Sequence, residues 1–312
     1  MAAFVLRRVL GMVPLLLGAT FVIFAAVYAL PGDPIRAIAG PTAEISPATR
    51  AALTEEYHLD DPLLVQYGYY LSGVVRGDLG VDLRGREVYD LVESAWPITL
   101  QLGLTAWALL AILGVGLGAL AAMRQGGVLD WGVLALTTLI VGVPYFVLAY
   151  VLQIVVGVQL GWLPSSGVRD GWPASYVLPA ICLAIFGVPE LARLTRASII
   201  ENRRADYVDT AIAKGLAPRL VFVRHILRNS LVPVVSVLGL ALGFMMSGAI
   251  LVEGIFNVPG LGFTLFTGVR QQNGPVVVGI STLMVFIFLA LNLLVDLVCG
   301  LLDPRISLVR DR

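Results

Sequence analysis

The stretch VLGMVPLLLGATFVIFAAVYAL, Val9–Leu30, contains no charged residue. A helix needs about 20 such residues to cross a hydrocarbon core about 30 Å thick, so this run is long enough to span a membrane. Arg7 and Arg8 precede it, as cations precede a secretory leader. However, its charge-free length is about twice that of a usual leader core, and no convincing Ala-x-Ala cleavage site closes it. We read it as a retained helix whose N-terminus stays in the cytoplasm.

Working outward, five more runs of this kind follow. They lie at about Ile98–Ala122, from Trp131 to somewhere before Trp162, at Tyr176–Pro189 (to about Leu194), at about Val232–Val252 and at about Val276–Val295. The whole chain agrees with this pattern: 58% of its residues are hydrophobic and only 13% charged, with a mean hydropathy of +0.88. Soluble domains are nearer a quarter charged, so the chain belongs to the membrane class. Its formal net charge of zero gives no reason to expect nucleic acid. Cys182 and Cys299 lie inside separate apolar runs, and His58 and His225 stand apart from each other and from both cysteines. A disulfide framework or metal site is not expected.

Cation placement orients the spans. Between the fourth and fifth runs lie Arg193, Arg196, Arg203, Arg204, Lys214, Arg219, Arg224 and Arg228, and the tail carries Arg305, Arg310 and Arg312. On the opposite side, the connection between the third and fourth runs carries only Arg169 and that between the fifth and sixth only Arg270. Six spans with both termini and the basic loop in the cytoplasm satisfy all of these charges. The segment Pro31–Trp96 holds eleven acids against five arginines. It would face outward as a small lobe, its apolar content supplied by Tyr57, Leu59, Leu63, Leu64, Tyr67, Tyr69 and Tyr70. Glu190 and Asp296 are the ionisable residues nearest the membrane interior. We read both as helix-end residues within reach of Arg193 or the interface, and no carboxylate chain for proton pumping crosses a span.

The basic loop carries the most specific pattern, Ala205-Asp206-Tyr207-Val208-Asp209-Thr210-Ala211-Ile212-Ala213-Lys214-Gly215-Leu216. Asp206 reads as an N-cap, with Asp209 three residues on completing a capping box. Lys214 suits the last turn, and Gly215 suits a left-handed C-terminal position. The expected helix has about two turns, roughly 12 Å. Tyr207, Thr210, Ala211 and Lys214 would share one face. Ala217-Pro218 then restarts a helix that runs through Arg224 and Arg228 towards Pro233.

Asp209-Thr210-Ala211, Gly215 and the Leu-Val-Pro context of Pro233 resemble the EAA loop of ABC importer permeases. Aspartate replaces the usual glutamate, threonine replaces the first alanine, and the stretch to Pro233 is longer than the shortest form of the motif. Further likenesses point to the dipeptide and oligopeptide branch, B-type subunit. They are Leu30-Pro31-Gly32-Asp33-Pro34, Tyr57-His58-Leu59-Asp60-Asp61-Pro62 with Gln66-Tyr67, Gly77-Asp78-Leu79-Gly80, Glu253 to Gly262, and Leu302-Asp303-Pro304-Arg305-Ile306.

The resemblance implies an all-α membrane protein of the type I importer permease fold, with six transmembrane helices and an external lobe. Its domains would be an N-terminal helix (1–30), the lobe (31–96), a core (97–302) with a coupling loop at about 200–232, and a cytoplasmic tail (303–312). Asp206, Tyr207, Asp209, Thr210, Ala211, Lys214 and Gly215 would form the ATPase-coupling loop. The implied partners are a second permease, two ATPase subunits that bind ATP and Mg, and an external substrate-binding protein. Peptide would be the cargo, and the cytoplasmic membrane of a bacterium the location. No catalytic, cofactor or metal residue is expected in the chain itself, whose only lysine, Lys214, precedes a lone glycine rather than closing a phosphate loop. Close relatives carry nickel chelates, haem or glutathione, which stand as alternative cargoes. A secondary transporter would need internal repeats or paired broken helices. An intramembrane enzyme would need a base near Ser236, Ser247 or Ser281. The sequence supplies neither.

Overall fold

The computed structural model describes residues 2–28, 35, 46–56, 58–82, 84–247 and 249–302. The quoted stretches at 30–34 and 303–306, Tyr57 and the tail arginines lie outside them. Among the described residues the structure is helical, and the one β feature is an isolated antiparallel bridge between Val81 and Glu87.

Among the described residues, four helices are long and apolar enough to cross a membrane: Leu6–Tyr28, Val88–Met123, Pro218–Met246 and Gly274–Leu297. They overlap the expected first, second, fifth and sixth runs. Three further pairs qualify only as bent elements, so length and composition give four to seven crossings.

The chain divides into two units. In the first, α1 (Ala2–Tyr28) packs against α3 (Leu63–Val75), with α2 (Pro47–Glu56) between them in sequence. The α1 face made by Leu15 and Val22 is exposed, as a lipid-covered face must be. Its opposite face is aromatic and polar. The Thr20 hydroxyl shares a 2.7 Å hydrogen bond with Tyr67, whose ring meets Phe21 edge-on at 5.2 Å. From α3, Tyr70 donates to Thr282 Oγ1 at 2.8 Å on α14 (Gly274–Leu302). Tyr67 is buried, whereas Leu64 and Tyr69 are exposed. Thus only part of the apolar content expected to fill a lobe turns inward.

The same unit holds the start of α4 (Val88–Met123), α12 (Ile250–Phe256) and α13 (Leu261–Arg270). Val88, Ala95, Leu261, Leu265, Val276, Ile280 and Met284 form its core. The expected fifth run continued to Val252, but the helix α11 (Arg228–Ser247) stops earlier, and Ile250 opens the separate α12. A charge-free run carries no mark of such a break.

The second unit contains the rest of α4, with α5 (Val128–Gly142), α6 (Tyr145–Leu152), α7 (Ala174–Ile185) and α8 (Val188–Arg203). The expected third run is not one straight helix: it bends by 103° between α5 and α6. Pro144 is the cause. Its ring drives the preceding residue out of the helical region, and Val143 accordingly has φ −101° and ψ 128°. Beyond α6 the chain winds as a π-helix over Gln153–Gln159. The expected fourth run is bent by 60° between α7 and α8.

Glycines set the approach of α4 to α8. A Cβ on Gly114 would lie 2.6 Å from Leu191, and one on Gly118 would lie 2.5 Å from the Ala192 carbonyl. Gly114 and Gly118 have the four-residue spacing that lets membrane helices pack backbone to backbone.

Candidate coupling site

At the end of α8 the chain turns through Arg204 and Ala205 into α9 (Asp206–Ala213), then into α10 (Pro218–Val221). A π-helical segment, Phe222–Leu227, joins α10 to α11. An eight-residue helix has little stability of its own, because nucleation is costly and few hydrogen bonds repay it. Two features hold α9 in place.

The first is burial of one side. Val208 and Ala211 enter a cluster with Ala122 of α4, Ile199 of α8, and Val221 and Ile226, with Leu216 packed against it. The second is a C-terminal closure made within the chain. Lys214 is the C-cap, Gly215 follows with φ +73°, and the Gly215 N–H donates to Ile212 O at 2.9 Å. The Leu216 N–H donates to Ala211 O at 3.3 Å. This pair of bonds is the Schellman arrangement, and the contact of Leu216 with the Ala211 cluster is the apolar contact that accompanies it. The left-handed glycine expected from the sequence is present.

The N-terminal expectation fails. Ala205, with φ −81° and ψ 142°, occupies the N-cap, and no side chain caps the helix. Asp206 and Asp209 instead lie in the first turn, one position too far along for a capping box. Both still face the positive end of the helix dipole. The expected common face also divides. Ala211 is buried, while Tyr207, Thr210 and Lys214 are exposed. The inward pair is Val208 and Ala211, spaced by three. The Thr210 hydroxyl donates back to Asp206 O at 3.0 Å, and the Tyr207 hydroxyl donates to Asn202 Oδ1 at 2.5 Å.

What remains outward is a surface of mixed chemistry. Ile212 is 58% exposed, and Leu220 and Val223 are also exposed. Around them stand the exposed Asp206, Asp209, Lys214, Arg219 and Arg224. Ile212, on the short α9 and beside charges of both signs, is placed as a residue that meets a protein partner would be.

Two polar networks escaped the sequence reading. Asp130 in the first turn of α5 binds Arg196 of α8 through two bonds, at 2.6 and 2.7 Å. The Asp130 carboxylate also accepts the Gly126 N–H at 2.9 Å. In the other unit, Glu253 is fully buried and accepts from the Thr99 hydroxyl at 2.8 Å and the Phe263 N–H at 3.0 Å. Thr99 in turn accepts the Leu261 N–H at 2.8 Å, so the two side chains together cap α13. Only cross-chain proximity reveals these pairings, because Asp130 and Arg196 are 66 residues apart and Thr99 and Glu253 are 154 apart. Glu190 lies in the first turn of α8 and is exposed.

Comparison with known proteins adds the lineage. Residues 114–308 match the family described as binding-protein-dependent transport system inner membrane component. Residues 1–86 match the N-terminal region of the same class of membrane component. The dipeptide transport system permease protein DppB of Bacillus subtilis (strain 168) is 36% identical, over 99% of each chain. The glutathione transport system permease protein GsiC of Escherichia coli O6:H1 is 37% identical, over 98% of this chain and 99% of that one. The solved structure of an amino acid ABC transporter with histidines matches with a TM-score of 0.50 at 16% identity, over 69% of this chain and 94% of that chain. That likeness concerns the fold alone. The chain therefore belongs to the family of binding-protein-dependent transport system inner membrane components.

Proposed function

We propose that this chain is a transmembrane permease subunit of an ATP-driven importer for dipeptides or short oligopeptides. It forms half of the translocation path and takes up the movement of ATPase subunits through α9 and its flanks. The observation that carries this reading is the α9 surface. A short helix, closed by Gly215 and anchored by Val208 and Ala211, leaves Tyr207, Ile212 and Lys214 outward in a chain of this family.

The complete assembly contains a second permease, two ATPase chains that bind ATP and Mg, and an external substrate-binding protein. It sits in the cytoplasmic membrane of a bacterium with both permease termini inside. The chain itself hydrolyses nothing, in keeping with its lack of a phosphate-binding glycine loop. Peptide cargo is supported by the name of the Bacillus relative. The name of the glutathione permease favours a second cargo of related chemistry, a small thiol peptide.

Two measurements test the proposal. A single cysteine at Ile212, in a background lacking Cys182 and Cys299, should cross-link to a cysteine in the ATPase groove. Its absence in an active complex would refute the contact. Mass spectrometry of ligands retained by the cognate binding protein should return dipeptides or short oligopeptides. Glutathione alone would select the second cargo, and neither would overturn the substrate assignment.

A further inference from the structure

The helix that delivers the chain into α9 is fixed by a polar fork as well as by packing. Arg196 lies seven residues before the end of α8 at Arg203, about 10 Å along the helix at 1.5 Å per residue. Its Nε and Nη2 meet Asp130 Oδ1 and Oδ2 at 2.6 and 2.7 Å. Asp130 is 3% exposed, and its Oδ2 is fixed a third time by the N–H of Gly126, in the turn between α4 and α5.

The rest of the α8 seam is of a different kind. Leu191, Ala192 and Thr195 press on Gly114 and Gly118 through apolar and backbone contacts. The Thr195 hydroxyl is buried there without a hydrogen-bond partner. A glycine seam holds two helices close but resists rotation and sliding weakly. A planar guanidinium bonded through two of its nitrogens to a carboxylate resists both, because either motion breaks two bonds together. Stability alone is a poor reason for such a pair, since buried ion pairs replaced by apolar residues often cost nothing.

We infer that Asp130 and Arg196 are positioning residues for coupling, forming a clamp that fixes the rotation of α8. Displacement of α9 is thereby carried into α5 and the α4–α5 turn and is not absorbed at the glycine seam. The inference rests on the reading of α9 as the surface that meets the ATPase.

The test uses the reconstituted complex of permeases, ATPases and binding protein. It compares ATP hydrolysis with and without peptide-loaded binding protein. Arg196→Lys keeps the charge and pairs with Asp130 but cannot form the fork, so it should assemble normally. Its stimulation ratio should fall by about fivefold or more, the scale of coupling between distinct sites. The neutral pair Asp130→Asn with Arg196→Gln removes the unpaired charge that either single neutral variant would bury, and it should also assemble and remain uncoupled. Wild-type stimulation in Arg196→Lys or in the neutral pair would overturn the clamp. Ile212→Cys cross-linking is run on the same preparations. Its failure in a complex that still couples defeats the reading of α9, whereas normal cross-linking with wild-type stimulation in Arg196→Lys defeats the clamp alone.

Discussion

The α9 loop and the α12–α13 hairpin are both short helical elements that turn on a residue with positive φ, Gly215 at +73° and Asn257 at +49°. They are secured differently. Every hydrogen bond that closes the α9 C-terminus comes from within six residues, and a Cβ on Gly215 would meet nothing within 4 Å. The hairpin, bent by 83°, is fastened by a fully buried carboxylate and by a threonine 154 residues away. Local closure leaves an element free to face a partner and to move as a piece. Long-range capping makes an element part of the core. On this view the hairpin is built to stay in place and α9 is built to be pushed.

The comparison predicts that the hairpin is the costlier place to cut. Glu253→Ala strips the acceptor from the Thr99 hydroxyl and the Phe263 N–H, and unsatisfied buried donors cost about 1–3 kcal/mol each. The purified complex should lose about 3 kcal/mol of stability, seen as a lower melting temperature and reduced permease abundance. Glu253→Gln keeps one acceptor and the volume and should lose less. If Glu253→Ala melts with the wild type, the capping account of the hairpin is wrong. Gly260→Ala comes next, because a Cβ there would lie 2.5 Å from both Glu253 oxygens. Displacing them should cost about 1–3 kcal/mol, the range for overpacking a filled site, measured in the same melting experiment.

How far the sequence disclosed each region follows from the same distinction. Gly215 was legible because a left-handed cap is specified by one residue type beside its own helix. The four long apolar helices were legible because each contains a charge-free run of about 20 residues. The N-cap was not. Ala205 takes the extended position that Asp206 was expected to occupy, and alanine there carries no signal. Pro144 was visible in its run, but a membrane helix tolerates proline by kinking or by turning away, and only the extended backbone of Val143 distinguishes the two. Glu253 was noticed only as part of a motif, since its partner Thr99 lies in another run. The Asp130–Arg196 fork was hidden for the same reason, and Arg196 was counted only as one of many loop cations.

Smaller effects sharpen the contrast. A Cβ at position 215 meets nothing within 4 Å, so the cost expected for Gly215→Val is left-handed backbone strain, about 1–2 kcal/mol. Melting should therefore shift less than for Glu253→Ala, and Gly215→Asn should shift least of the three. Outside the spans, Asp82 provides a pH probe. Burial pushes its carboxyl up, but bonds from the Arg86 N–H and guanidinium and from the Arg84 N–H outweigh this and hold it below the ordinary range. A depressed carboxyl contributes stability above its unfolded value, and that contribution is lost as pH falls through the folded value. The loop around Asp82 should keep its proteolytic protection at neutral pH and lose it only in acid below the usual carboxylate range. Asp82→Asn should remove that acid step. Asp209→Ala is the smallest change: the residue is exposed and caps nothing, so stability should move by no more than about 0.5 kcal/mol.

The central claim is that α9 carries the ATPase's movement into the membrane helices, and Gly215→Val tests it most directly. The substitution leaves the apolar helices untouched, and the left-handed strain it adds at position 215 is relieved by turning the chain differently after Lys214, between α9 and α10. The measurement is ATP hydrolysis by the reconstituted complex with and without peptide-loaded binding protein, normalised to assembled permease. The account predicts normal assembly with near-complete loss of the stimulated rate and of peptide uptake. Normal assembly with stimulation and uptake at the wild-type level would contradict it.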